Sequence, residues 1–226
     1  MGYLSMNKDN RLFWMGRYQE RVFTTISYLI NKYDAMIDGS PFDYAAYCES
    51  LGIFNCYNNA EEFMHSYLYD KNNPDSVRAA ADMMIGNGIV LRDIISSKTL
   101  SYLQMAVYAL DMASESEAPL VELQKVIDDL MAFRGSYDDF IENENMRNII
   151  KCGSGVERIS LSLSLDYHLP AVPTEIHKLL RRLEKTKLKT NPAALKVLWD
   201  TDLMQPGDTP VSKKKLIEAD ETLFIV

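Results

Sequence analysis

Two segments of this chain carry the same device: WMGRYQERVFTTISYLI at residues 14–30 and KCGSGVERISLSLSLDY at residues 151–167. Each has a glycine, three residues, a Glu-Arg pair and then a run free of helix breakers. A shift of 137 residues aligns the two without a gap, so that Leu12 meets Ile149, Met15 meets Cys152, Gly16 meets Gly153 and Val22 meets Ile159. At about 100° per residue these apolar positions gather on one arc of each helix. Glu20 and Glu157 fall at the edge of that arc, beside glycines and serines small enough to admit a neighbouring helix. Arg21 and Arg158 point about 100° further round. Adjacent helical residues do not face one another, so each glutamate and each arginine needs a partner on another element. Trp14, Arg17 and Tyr28 share the arginine side of the first segment, and Leu161 and Leu165 lie near it in the second. Both helices are therefore expected in the middle of a bundle, related by an internal repeat.

The rest of the chain is also helical in pattern. Asp9 or Asn10 is positioned to cap a helix reaching about Ile37, stopped by Gly39-Ser40-Pro41. Shorter helices are expected over Phe42–Leu51 and Ala60–Asp70. Asn73-Pro74 reads as a helix start, with a pattern running towards Ile95 and an interruption at Ser96-Ser97. A further helix continues through Met112, Pro119 opens the next one, bent near Gly135, and the second Glu-Arg helix spans about Asn143–Leu169. Thr174 caps a basic helix to about Lys185, and Asn191-Pro192 starts a short one. A tail containing Pro206 and Gly207 follows, and TLFIV closes the chain as a lone strand or packed coil. No alternation recurs often enough to build a sheet, so the fold class is all-α, a helical bundle.

Net charge is −8, divided as −5 over residues 1–115, −5 over 116–169 and +2 over 170–226. An acidic body argues against nucleic acid as a partner, because that binding needs a broad basic surface. The basic stretch HKLLRRLEKTKLKT lacks interleaved aromatics and reads as the solvated face of a helix. No apolar run approaches the roughly 18 residues of a membrane span, so no membrane contact is expected. No basic start followed by an apolar stretch marks a signal peptide, and a cytoplasmic location is expected. Cys48, Cys56 and Cys152 are odd in number and form no CxxC, which points to reduced thiols.

The familiar chemical motifs are missing. No phosphate loop, nucleophile elbow or cysteine-nucleophile signature occurs, and no cofactor is called for. Glu62-Phe63-Met64-His65 supplies half of a di-iron signature, but His168 and His177 lack a glutamate three residues earlier, so no metal is expected. The Glu-Arg pairs then admit two readings. They can staple helices together, or they can line a cleft in which a carboxylate acts as base and a guanidinium holds an anion.

LFWMGRYQER closely resembles the opening motif of the alpha-E family, a helical domain named for its Glu-Arg motif. The segment from Asn72 to Ser96 resembles that family's middle region, and MRNIIKCGSGVER resembles its second Glu-Arg motif. The resemblance spans about Leu12–Tyr167. It implies an alpha-E-like bundle over residues 1–190, with residues 191–226 as an extension packed on it or partly flexible. The candidate cluster it marks is Glu20, Arg21, Glu157, Arg158, Arg17, Arg92, Asp93 and Asn87, with Arg92 on the middle helix a candidate partner for either glutamate. Around Asn87 the family's middle motif carries a glutamate and arginines, where this chain has Gly86 and Ile89. Ser154 stands where the first motif has Arg17. Both changes are expected to erode a polar site shared among the motifs. The resemblance further implies a bacterial protein encoded beside ATP-grasp ligases and transglutaminase-like proteins. Two roles follow: an accessory or interaction subunit of a peptide-modification or amide-ligation system, or an enzyme or ligand-binding protein using the Glu/Arg cluster on a peptide-like or amino-acid substrate.

Overall fold

The computed structural model of the chain describes residues 2–204 and 209–225. Pro206 and Gly207 of the tail, and the closing Val226, lie outside the described residues. Among those described are ten α-helices and no strand: α1 (Gly2–Ile37), α2 (Tyr44–Leu51), α3 (Ala60–Tyr69), α4 (Val77–Val90), α5 (Arg92–Glu115), α6 (Pro119–Phe140), α7 (Glu144–Ser164), α8 (Val172–Leu183), α9 (Pro192–Asp202) and α10 (Lys213–Glu221). The closing segment makes one antiparallel bridge, Thr190 to Phe224. The protein is all-α.

The chain divides into two compact units. One comprises Met1–Arg17 and Asn143–Val226, the other Tyr18–Glu142. Helix α1 contributes to both. In the first unit α7 packs on α8 and α10, and α9 packs on α8 and α10, so residues on both sides of position 190 belong to it. In the second unit α5 packs on α6 and α4, and α3 on α4 and α5.

Most helix ends follow the capping chemistry in the sequence. Asp43, Asn59, Asn143 and Asn191 each accept a backbone N–H of the first turn, and Pro192 follows Asn191 at the first helical position. Gly39 takes φ of 84° after α1, which lets the Ser40 N–H return to the Ala35 carbonyl. Ser96 interrupts α5 with φ of 71°, a left-handed conformation that only a break in the helix accommodates.

Four boundaries differ from expectation. Helix α1 begins at Gly2, ahead of Asp9, because no proline or glycine between them stops it. Helix α4 begins after Ser76 rather than at Asn73-Pro74. Asn73 instead folds a turn by accepting the Asp75 N–H, and Ser76 accepts from the Ala79 N–H while donating to the Asp70 carbonyl. Helix α7 ends at Ser164 rather than Leu169, because Asp166 and His168 turn left-handed, with φ of 50° and 53°. Thr174 lies inside α8, which opens at Val172 with Pro173 in its first turn. Since Ser76 is buried and serves both α4 and the preceding loop, Ser76→Ala is expected to cost about 1–2 kcal/mol in a urea titration, at the upper end for a lost cap.

Two cores result. Helix α7 is buried nearly all round, with Ile149, Ile150, Cys152, Val156, Ile159 and Leu163 inside. In the second unit Phe63 is fully buried among Phe42, Tyr44, Tyr47, Tyr57 and Tyr67. Several tyrosines are thus packing residues. The Tyr47 and Tyr67 hydroxyls meet at 3.3 Å, and burial pushes Tyr67 up to about 12.

Candidate functional site

The second segment lies against the first through its glycines. A methyl group on Gly153 would sit 2.1 Å from the Phe13 carbonyl oxygen, and one on Gly16 would sit 2.2 Å from the Ile150 carbonyl oxygen. Helices α1 and α7 therefore touch backbone to backbone. Gly16 with Ile150, and Gly153 with Phe13, are pairs related by the same shift of 137 residues that aligns the two segments. Beside this contact Ser154 donates to the carbonyls of both Gly16 and Ile150, each at 3.2 Å.

That approach brings Glu157 to Arg17. The Arg17 Nε donates to Glu157 Oε2 at 2.7 Å, and Glu157 is 1% exposed. The Arg17 guanidinium lies 4.9 Å from the centre of the Trp14 ring, which shields its outer face. Arg158 turns the other way, to α8, where its Nη1 donates to Glu175 at 2.8 Å and Lys178 donates to the second Glu175 oxygen at 2.8 Å. Burial pushes the Glu175 carboxyl up, but Lys178 and Arg158 outweigh it and hold the group below the usual glutamate value.

Glu20 is 0% exposed and belongs to the other unit. Its guanidinium comes from α6, not from Arg92: the Arg134 Nη2 donates to Glu20 Oε2 at 2.7 Å. Gln19 Nε2 donates to the same oxygen at 3.2 Å, and the Thr24 hydroxyl donates to Oε1 at 3.0 Å. Arg134 also donates to the Gln19 side-chain oxygen and lies 3.7 Å from the centre of the Phe23 ring. Both oxygens of this buried carboxylate are thus bonded, as a dry interior demands.

The middle residues stand apart from these pairs in role. Arg92 is exposed at the start of α5, where its Nε donates to the Ser97 hydroxyl at 3.2 Å; the expected partnership with a motif glutamate is corrected. Asp93 is exposed beside it, and Asn87 on α4 donates to the Met83 carbonyl. Arg21 is half-buried, and its charge acts on the Tyr67 hydroxyl. Arg134 and Glu175 had no motif to mark them. Their one signal was accounting: a buried glutamate needs a cation, and Lys125 and Arg134 are the basic residues that α6 offers.

The chemistry available follows from this geometry. Glu20, buried with both carboxylate oxygens committed to hydrogen bonds, is a poor base. Cys152 is fully buried, and burial pushes its thiol up to about 12 against the opposing charge of Arg182, which disfavours the thiolate that a nucleophile needs. No group of three His, Cys, Asp or Glu among the described residues is placed to hold a metal ion. His65 packs edge-on against Tyr69, at 5.4 Å between ring centres. A cavity of about 400 Å³ in the second unit, lined by Leu29, Tyr33, Met64, His65, Leu68 and Leu123 among others, includes none of the Glu-Arg residues. No helix among the described residues is long and apolar enough to cross a membrane.

No curated protein and no solved structure matches the chain. A family model does: that of the Alpha-E domain, described as a predicted alpha-helical domain with a conserved ER motif, matches residues 8–188. That range takes in both Glu-Arg segments and the helices that supply their partners, and the chain belongs to the Alpha-E family.

Proposed function

We propose that this protein is an accessory or interaction subunit of a peptide-modification or amide-ligation system, in which its Glu-Arg motifs hold the fold and do not perform chemistry. The observation that carries this reading is the sealing of both motif glutamates: Glu20 and Glu157 are buried, and each binds an arginine at 2.7 Å. A catalytic carboxylate has to reach substrate and exchange protons, and neither glutamate is open to do so. Arg78, itself buried, supports the same reading by tying α4 to the partly exposed Asp111 on α5 at 2.8 Å. The system and the partner, an ATP-grasp-type ligase or a transglutaminase-like protein in a bacterial cytoplasm, rest on the company the family keeps. We also read α1 and α7 as copies of one element, since their glycine contacts obey a single sequence shift.

Co-expression with the ATP-grasp-type or transglutaminase-like protein encoded nearby tests the proposal. The expected result is co-elution as one complex, with the isolated chain turning over no peptide or amino-acid substrate. The competing reading, an enzyme or ligand-binding protein built on the Glu/Arg cluster, requires the isolated chain to act on or bind such a substrate. It also requires Glu157→Gln to abolish that activity at unchanged melting temperature.

A further inference from the structure

Asp220 is the one acidic residue among those described that is buried with both carboxyl oxygens lacking a hydrogen-bond partner. It is 1% exposed and sits near the end of α10, which packs on α7 and α9. The charges acting on it are Arg17 from α1, Glu157 from α7 and Glu221 on α10 itself. On α9, Lys196 and Asp200 are exposed and Asp202 faces His177. Arg17 is already engaged by Glu157 at 2.7 Å, and its pull on Asp220 is weaker than the opposing effect of burial. A buried, unpartnered carboxylate is costly, and a second carboxylate beside it makes it more so.

The helix that carries Asp220 is poorly built to stand alone. It has nine residues, short of the length at which an isolated helix forms in water. Lys213, Lys214 and Lys215 occupy its first turn and Glu218, Asp220 and Glu221 its last, the reverse of what the helix dipole favours. What holds it is docking. Leu216 and Ala219 are buried, Leu223 is fully buried, Phe224 packs on Phe13 at 4.7 Å, and Lys213 reaches Asp166 at 2.8 Å.

We propose that α10 is a latch over the Arg17–Glu157 pair, closed while the Asp220 carboxyl is uncharged and opened when that carboxyl ionises. Opening carries Asp220 into water and uncovers the second Glu-Arg motif, a state beyond the sealed one on which the accessory-subunit reading rests. Burial is the main force pushing the docked Asp220 above the ordinary aspartate value of 3.8, with Glu157 and Glu221 adding to it and Arg17 opposing. The undocked residue titrates as ordinary aspartate. Docking is therefore strongest below that value, weakens by up to about tenfold per pH unit above it, and levels off once the docked carboxyl itself ionises.

Hydrogen exchange of the peptide covering 213–225, measured from pH 5 to pH 8 and divided by the intrinsic rates, reads this directly. The wild-type protein is expected to lose protection as pH rises, by up to about tenfold per unit. Asp220→Asn and Asp220→Leu, neither of which ionises, should both keep α10 protected and flat across the range. A wild-type profile that does not change with pH overturns the proposal. So does a variant that keeps the wild-type slope, or the absence of protection at pH 5 in both variants, since an uncharged residue at 220 would then not suffice to close the latch.

Discussion

Glu20→Ala is expected to destabilise the protein by about 3 kcal/mol, the lower part of the range for breaking a buried ion pair. The substitution removes the carboxylate that Arg134 binds at 2.7 Å, and it takes the acceptor away from the Thr24 hydroxyl and the Gln19 amide. Two features moderate the loss. Arg134 keeps 22% of its side chain exposed, and it retains both the Gln19 oxygen and the Phe23 ring. For a chain of this size the change corresponds to roughly 6–12 °C in melting temperature, read by circular dichroism at 222 nm. A variant that melts with the wild type means that Glu20 is not held as described.

The second large effect is expected at the helix contact. Gly153→Ala should cost about 3 kcal/mol or more, because the new methyl group would meet the Phe13 carbonyl oxygen at 2.1 Å and that oxygen is backbone, which cannot rotate aside. Gly16→Ala meets Ile150 in the same way. The control is Gly86→Ala in α4, where nothing lies within 4 Å and helix propensity alone acts. That change should stabilise by about 0.4–1 kcal/mol. Denaturant titration of the three variants separates close packing from a general intolerance of change, and equal losses at Gly153 and Gly86 would contradict the packing account.

The sequence disclosed the helices more readily than their partners. Periodicity and caps located α2, α3, α6 and α9 to within a few residues, because those signals are local and are satisfied within one turn. The cap of α4 is Ser76, three residues after the expected Asn73. Ser76 prevailed because its hydroxyl also closes onto Asp70, a contact visible only once the loop is folded. Helix α10 was not foreseen at all: its charges run against the dipole, and only the burial of Leu216, Ala219 and Leu223 by other helices makes it stand.

The candidate site shows the same division. The 100° rule indicated which way Glu20, Glu157 and Arg158 leave their helices, and the small residues indicated where a neighbour comes close. It did not say which helix arrives. Glu157 met Arg17 on the other long helix, and Arg158 met the carboxylate of Glu175. Glu20 broke the pattern. The position matching Arg17 in the second segment is Ser154, which carries no charge, and the cation came from Arg134 on α6 instead. Asp220 was invisible for another reason: nothing in a short, charged C-terminal segment distinguishes a buried aspartate from an exposed one.

The claim that the Glu-Arg motifs are staples is tested most directly by a double-mutant cycle on the first of them. Glu20→Gln, Arg134→Met and the combined variant would be titrated with urea alongside the wild type. The account predicts that both single variants are destabilised, Arg134→Met the more so because it strands a fully buried carboxylate. It further predicts that the double variant is less damaged than the sum, with a coupling of about 2 kcal/mol or more. Strictly additive losses, or single variants as stable as the wild type, would contradict it.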